Sequence, residues 1–233
     1  PHTPLLLMVS LNEPHYPFHT KSQELFDYYW DKVPVYDEDP IDHPFLGGNF
    51  VVRPGKDVTA DEARSATAAY YSMIEHMDSQ LGRVIRELEG NGQNIDDWIV
   101  VYTSDHGEML GQHGVWEKQK FFEASVRVPL FIRYPSTFPR REVDENVNLC
   151  DLFATFCDAT GVPIPAGLDS RSLVPLLTSE DCDWDDEIVS QFDGQNIMIK
   201  RGSTKYQYYS ADQSEVVFDL HLDPSEGTNL VDH

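Results

Sequence analysis

The stretch Trp98-Ile99-Val100-Val101-Tyr102-Thr103-Ser104-Asp105-His106-Gly107 decides how the chain is read. An unbroken apolar and aromatic run ends in a polar turn that carries a carboxylate and an imidazole. Continuous apolar character, rather than alternation, is the pattern of a strand covered on both faces. In open α/β sheets ligands bind beyond the carboxyl ends of the strands, which is where Asp105 and His106 fall. An acidic oxygen and a ring nitrogen in one turn suit a divalent metal ion with further ligands elsewhere. Gly107 would let the backbone pack closely beneath that ion. An ordinary polar turn is the alternative, and the position after a buried run weighs against it.

Other segments repeat the pattern. Leu5 to Val9 is a second apolar run, closed by Ser10 and followed by Asn12-Glu13-Pro14-His15, and Pro129 to Tyr134 is a third strand candidate. Thr59 followed by Glu62 forms a capping box. From there Ala66, Ala69/Tyr70, Met73, Met77, Leu81, Val84 and Leu88 recur at helical spacing, with a stop near Gly90 and Gly92. Met73 and Met77 read as core stripe. A further helix is expected over Leu149 to Thr160, ending at Gly161. Strands alternating with helices point to an α/β fold, a mainly parallel sheet flanked by helices. After Leu177 the composition changes. Six of the nine residues from Ser179 to Glu187 are acidic, as in a solvated linker. Ile197 to Lys200, Tyr206 to Tyr209 and Val216 to Leu220 then read as strands around a turn at Gly202. The expected division is 1–178 for the α/β domain and 188–233 for a small antiparallel subdomain. Residues 27–57, rich in Asp, Pro, Tyr and Gly, read as a long irregular excursion.

Composition limits the partners. With 17 basic and 40 acidic residues the formal charge is −23, which disfavours nucleic acid and anionic membranes. Such acidity is also found in proteins adapted to strong salt. No run approaches the length of a membrane helix. Cys150, Cys157 and Cys182 form no CxxC pair; Cys150 and Cys157, seven apart, read as thiols on one helix face, with one disulfide as the alternative. No glycine-rich nucleotide loop occurs. Glu123 and Arg127 lie four apart and are expected to form a simple ion pair. Secreted, periplasmic and cytoplasmic locations all stay open.

The run from Val101 through Ser104-Asp105-His106-Gly107-Glu108-Met109-Leu110-Gly111-Gln112-His113-Gly114-Val115-Trp116-Glu117-Lys118 resembles the late signature of sulfatases, within the alkaline phosphatase-like superfamily. Phe121 to Leu130, Val9 to Phe18, and Phe218-Asp219-Leu220 through Asp223-Pro224, Glu226 and Asn229-Leu230 match in the same order. The resemblance implies an alkaline phosphatase-like fold that hydrolyses sulfate monoesters. It implies that Asp105 and His106 are late metal ligands, although many sulfatases carry Asn at the position of His106. It further implies that His15 contacts the sulfate or the leaving-group oxygen, with general acid as its role in the latter case, and that Lys118 holds a sulfate oxygen. Gln112 stands where an acidic residue is frequent. Calcium is the expected ion, with manganese or magnesium as alternatives. A small anionic sulfate ester or sulfated sugar is the expected substrate.

A sulfatase also has two early Asp ligands and a Cys-x-Pro-x-Arg segment whose Cys becomes a formylglycine nucleophile. No cysteine here sits in such a segment. With the abrupt start Pro1-His2-Thr3-Pro4, this leads to the expectation that the chain is the later part of a longer protein. Its missing N-terminal portion would be a partner, and the chain alone would be inactive. Hydrolysis of phosphate or phosphonate esters and a non-catalytic binding protein of the same fold are the rival readings. Tyr28, Tyr29, Trp30 and Tyr36 could face a cationic alcohol such as choline.

Overall fold

The computed structural model describes residues 5–36, 43, 52, 56–179 and 181–232. The expectations placed on Pro1-His2-Thr3-Pro4 and on most of the 27–57 excursion lie outside the described residues. Contacts divide the chain into two units: Pro1–Glu38 with Val52–Ile95, and Asp39–Val51 with Asp96–His233.

The first unit is built on two helices, α1 (Gln23–Trp30) and α2 (Ala60–Gly90). Helix α2 begins where its sequence says it should. Thr59 Oγ1 accepts from Glu62 N at 3.2 Å, and Glu62 Oε2 accepts from Thr59 N at 2.8 Å, so two otherwise orphaned N–H groups are satisfied. Ala68, Ala69, Ser72 and Met73 are buried along one face. Against that region lie α1 and the segment before it: Tyr29 Oη donates to Glu75 at 2.6 Å, and Phe18 meets Tyr70 edge-on at 5.5 Å. Tyr28, Tyr29 and Trp30 therefore sit on a helix rather than in irregular chain, because Ser22 caps it by accepting from Leu25 N.

The second unit contains two sheets among the described residues. Strands β1 (Val100–Thr103) and β2 (Leu130–Arg133) pair antiparallel, with Val101 opposite Ile132. Strands β3 (Glu187–Phe192), β4 (Asn196–Arg201), β5 (Thr204–Tyr209) and β6 (Ser214–Asp219) form an antiparallel meander. Short helices α3 (Glu123–Val126), α4 (Asp151–Ala159) and α5 (Val174–Thr178) complete it.

The expected mainly parallel sheet is thus overturned: among the described residues every strand pair is antiparallel. The burial pattern gives the reason. A parallel strand is covered on both faces, whereas β2 alternates and leaves Phe131 65% exposed. Leu5 to Val9 is not a strand in this structure, and its residues are 42–87% exposed. An apolar run states a preference for burial but supplies no hydrogen-bonding partner or direction.

The antiparallel meander is the floor of the second unit. On one face Met198, Tyr209, Val216 and Phe218 pack with Met109, Val115, Phe121 and Phe122 from the 105–126 region. Lys205 and Gln207 share the buried face of β5, each fully inaccessible. The Lys205 ammonium is consumed completely: it donates to Glu226 at 2.8 Å and Phe121 O at 2.8 Å, and pairs with Glu123 at 2.6 Å. Glu123 also takes Lys200 at 3.3 Å. The expected Glu123–Arg127 pair is replaced by these tertiary partners, which keep the buried charges of the cluster from standing uncompensated.

The acidic segment before β3 is not a loose linker either. Asp186 accepts from Asn146 N at 2.5 Å and from Gly202 N at 3.1 Å, while Arg171 stacks on Trp184 at 4.0 Å. Cys150, Cys157 and Cys182 are free. No helix among the described residues is long and apolar enough to cross a membrane.

Candidate functional site

The chain leaves β1 at Thr103 and turns at once through Ser104, Asp105 and His106. Asp105 is open to solvent, with its side chain 87% exposed, and His106 is one-third exposed. Asp105 Oδ1 accepts from His106 N at 3.1 Å, which ties the carboxylate to the turn. His106 Nδ1 lies 2.8 Å from Gly107 O. A carbonyl can only accept, so Nδ1 carries the hydrogen and the neutral ring keeps its lone pair on Nε2. That nitrogen is 3.9 Å from Asp105 Oδ2. Ligand atoms bound to one ion at roughly 2.0–2.6 Å stand about 3–4.5 Å apart, so this pair fits a shared divalent cation. An imidazole whose other nitrogen donates to a carbonyl is oriented as metal-ligating histidines usually are. Among the described residues no group of three or more His, Cys, Asp or Glu side chains is placed to hold a metal ion. Asp105 and His106 alone are two such side chains, fewer than a metal site requires.

Gly107 fixes the turn from below. Its N–H donates to Ser125 O at 2.7 Å, and a Cβ on it would stand 2.0 Å from Ala124 O. Only glycine fits that approach.

The backbone then enters a tight loop. Leu110, Gly111, His113, Gly114 and Glu117 all have positive φ, from 49° to 93°. For the non-glycine residues this costs on the order of 1 kcal/mol each or more and persists only where surroundings over-determine it. The surroundings do. Met109 N donates to Glu117 O at 2.9 Å and Gly111 N to Val115 O at 2.8 Å. Buried Met109 and Val115 anchor the loop in the core. Glu108 adds a clamp across its base: Oε1 accepts from Glu117 N at 2.6 Å and from Leu110 N at 3.4 Å. Burial pushes the Glu108 carboxyl above its usual range, with those N–H groups and Lys118 pulling the other way.

Lys118 follows this clamp. Its carbonyl accepts from Lys120 N at 2.6 Å and from the Ser125 hydroxyl. Ser125, buried, therefore holds Gly107 with its carbonyl and Lys118 with its hydroxyl. The structure brings the Asp105–His106 turn and Lys118 onto one pinned stretch of backbone. Sequence reasoning missed both Glu108 and Ser125 as supports. Both lie inside the quoted motifs, but nothing local to either marks its partner.

His15 belongs to the first unit. Its Nδ1 is 2.8 Å from Tyr16 O, so that nitrogen also carries hydrogen, and the ring stacks on Tyr16 at 4.5 Å. His113, to which no chemistry was given, is buried and packs on Phe122 at 4.5 Å. Of the four aromatic residues considered for a cation, Tyr28 already has Lys32 over its ring at 3.7 Å.

The sulfatase family model matches residues 1–162, and a model described as N-sulphoglucosamine sulphohydrolase, C-terminal, matches residues 111–233. The choline-sulfatase of Rhizobium meliloti is 30% identical over 99% of this chain and 47% of its own length. A phosphonate monoester hydrolase of Agrobacterium radiobacter superposes with a TM-score of 0.68 and 32% identity, over 77% of this chain and 40% of that one. BT4656, solved in complex with its substrate D-glucosamine-2-N,6-O-disulfate, superposes with a TM-score of 0.64 and 26% identity, over 76% of this chain and 38% of that one. The chain spans about half the length of the curated relatives it matches.

Two outcomes follow from this geometry. Gly107→Ala should destabilise the chain by about 3 kcal/mol, because the new Cβ forces backbone rather than a flexible side chain to move. A urea midpoint unchanged from wild type would contradict the close approach. For Glu108, a carboxyl raised in the folded state contributes stability that is present below its unfolded value and lost as pH rises through the folded one. Glu108→Gln removes that dependence while keeping a carbonyl to accept from Glu117 N. Denaturation midpoints from about pH 4 to about pH 7 should therefore fall more for wild type than for the variant. A larger fall in the variant would reverse the assignment.

Proposed function

The chain belongs to the sulfatase family, and from that premise we propose that the whole protein hydrolyses sulfate monoesters, water converting each ester to an alcohol and sulfate. One observation carries the reading of this chain's part. Asp105 and His106 offer an oxygen and a nitrogen 3.9 Å apart on a turn whose backbone is pinned by Gly107 and Ser125. We assign them as metal ligands, for calcium or else manganese or magnesium. A bound divalent ion there supplies Lewis-acid neutralisation of charge on the sulfuryl oxygens.

The remaining roles belong to side chains. Lys118 places a point charge against a sulfate oxygen, and its backbone, held by Ser125 and Lys120, limits where that charge can move. His15 donates a proton to the departing alcohol oxygen, and the Nδ1 contact to Tyr16 O helps fix the orientation of the ring. The nucleophile, a formylglycine on this reading, comes from a region this sequence does not include. On the same reading residues 1–178 form the later part of the catalytic domain and 188–233 its C-terminal subdomain. The substrate is a small sulfate ester or a sulfated sugar.

Likeness to a phosphonate monoester hydrolase keeps a phosphorus ester as the second reading. Matched aryl sulfate, phosphate and phosphonate esters offered to the whole protein separate the two. The sulfate ester should be turned over fastest, and chelation should abolish turnover. Asp105→Asn should lower kcat/KM on the order of 100-fold, the scale of losses seen when a metal's support is disturbed. Unchanged metal affinity and turnover in that variant would remove Asp105 from the site, and faster cleavage of a phosphorus ester would select the second reading.

A further inference from the structure

We propose that a cavity beside His15, wholly within the first unit, seats the alcohol half of the ester and is built for one hydroxylated ring rather than for a quaternary ammonium. The inference rests on the reading of His15 as leaving-group acid, since whatever leaves must lie next to that ring. The cavity holds about 320 Å3 between the Leu11–His19 segment and the face of α2 that bears Met73, His76, Met77 and Gln80. This is the lower end of ordinary ligand pockets, room for a single sugar ring.

Its lining is chemically mixed. Leu11, Met73 and Met77 contribute apolar surface, and thioethers adapt to the C–H face of a ring. Asn12 and His76 add groups that both donate and accept, which is what neighbouring hydroxyls require. The segment from Leu11 to His19 is held in place. His19 Nδ1 donates to Pro17 O at 2.8 Å, Lys21 Nζ donates to His19 Nε2 at 3.0 Å, and Lys21 pairs with Glu13 at 3.2 Å. The His19 backbone N–H reaches Met73 Sδ at 3.4 Å, and Ser72 Oγ donates to Thr20 Oγ1 at 2.9 Å, so the segment is tied to the helix along its length.

The same walls disfavour a cation. Among the described lining residues there is no Phe, Tyr or Trp, so a quaternary ammonium finds no ring face. The carboxylate of Glu13 is already engaged by Lys21. The aromatic residues of α1 serve other contacts, Tyr29 on Glu75 and Tyr28 beneath Lys32.

Titration of the 233-residue chain with methyl glucoside and, separately, with choline tests this, read by NMR at the Met methyl and His ring signals. Methyl glucoside should shift Met77 and His76 saturably, with millimolar affinity as expected of a small neutral fragment, and choline should not. His76→Leu, on a half-buried helical position, should weaken the glucoside at least several-fold while signals away from the cavity stay in place. Equal or tighter binding of choline, or no shift with either probe, overturns the proposal. The wild-type titrations decide even if the variant folds poorly. No turnover is involved, so a whole protein that cleaved phosphorus esters would defeat the proposed function and leave this result standing.

Discussion

A single ammonium group organises the second unit. Lys205, the second residue of β5, lies at zero exposure, where an unpaired charge would cost several kcal/mol. Its three partners come from outside the sheet: Glu226 near the C-terminus, and Phe121 O and Glu123 at the start of α3. Glu226 then uses its second oxygen to accept from Glu123 N at 2.6 Å. The network therefore nails residues 121–123 to the meander. Two residues on, Ser125 holds Gly107 and Lys118. The Asp105–His106 turn and Lys118 are positioned by a chain of contacts that begins at a buried charge remote in sequence.

The charges in this cluster do not behave alike. Burial pushes Glu226 upward, and the pull of Lys205 does not offset it. Its contribution to stability is thus present below its unfolded value and lost as pH rises. Burial pushes Glu123 the same way, but Lys205 and Lys200 together hold it below the usual range. Its contribution is present above the unfolded value and lost as pH falls. The two carboxylates flatten each other's pH dependence, which suits a cluster whose task is to keep a strained loop in one conformation. Around it, Phe122, Phe218, Met109 and Val115 supply apolar burial of about 1.5–3 kcal/mol for each large side chain, enough to carry several left-handed residues.

What the sequence revealed divides by the range of the interaction. Helix α2 was legible because Thr59, Glu62 and the apolar spacing are all local. The β4–β5 hairpin at Gly202 was legible for the same reason. The sheet direction was not, because an apolar run such as Leu5 to Val9 encodes burial without naming a neighbour. Glu123 was assigned to Arg127 by helical spacing, and distant lysines took it instead. Lys205 gave no signal at all: its partners Glu226 and Phe121 lie 21 and 84 positions away. The family motifs did reach that far. Glu226 was noted only as part of a resemblance, and the structure gives it a physical task, the anchoring of the loop that carries the site.

That task makes the central claim measurable. Hydrogen exchange of the backbone amides of Gly107, Met109, Gly111 and Glu117 reports how firmly the site loop is held. Glu226→Leu removes the carboxylate that joins Lys205 to Glu123 N, leaving only the direct contacts of Lys205 with Phe121 O and Glu123, and it touches none of Asp105, His106 and Lys118. The account requires those four amides to lose protection by more than tenfold while amides paired between β4 and β5 keep most of theirs. Unchanged protection at Gly107 and Glu117 in that variant would show that the loop stands on its own and that the buried network is not what positions the site.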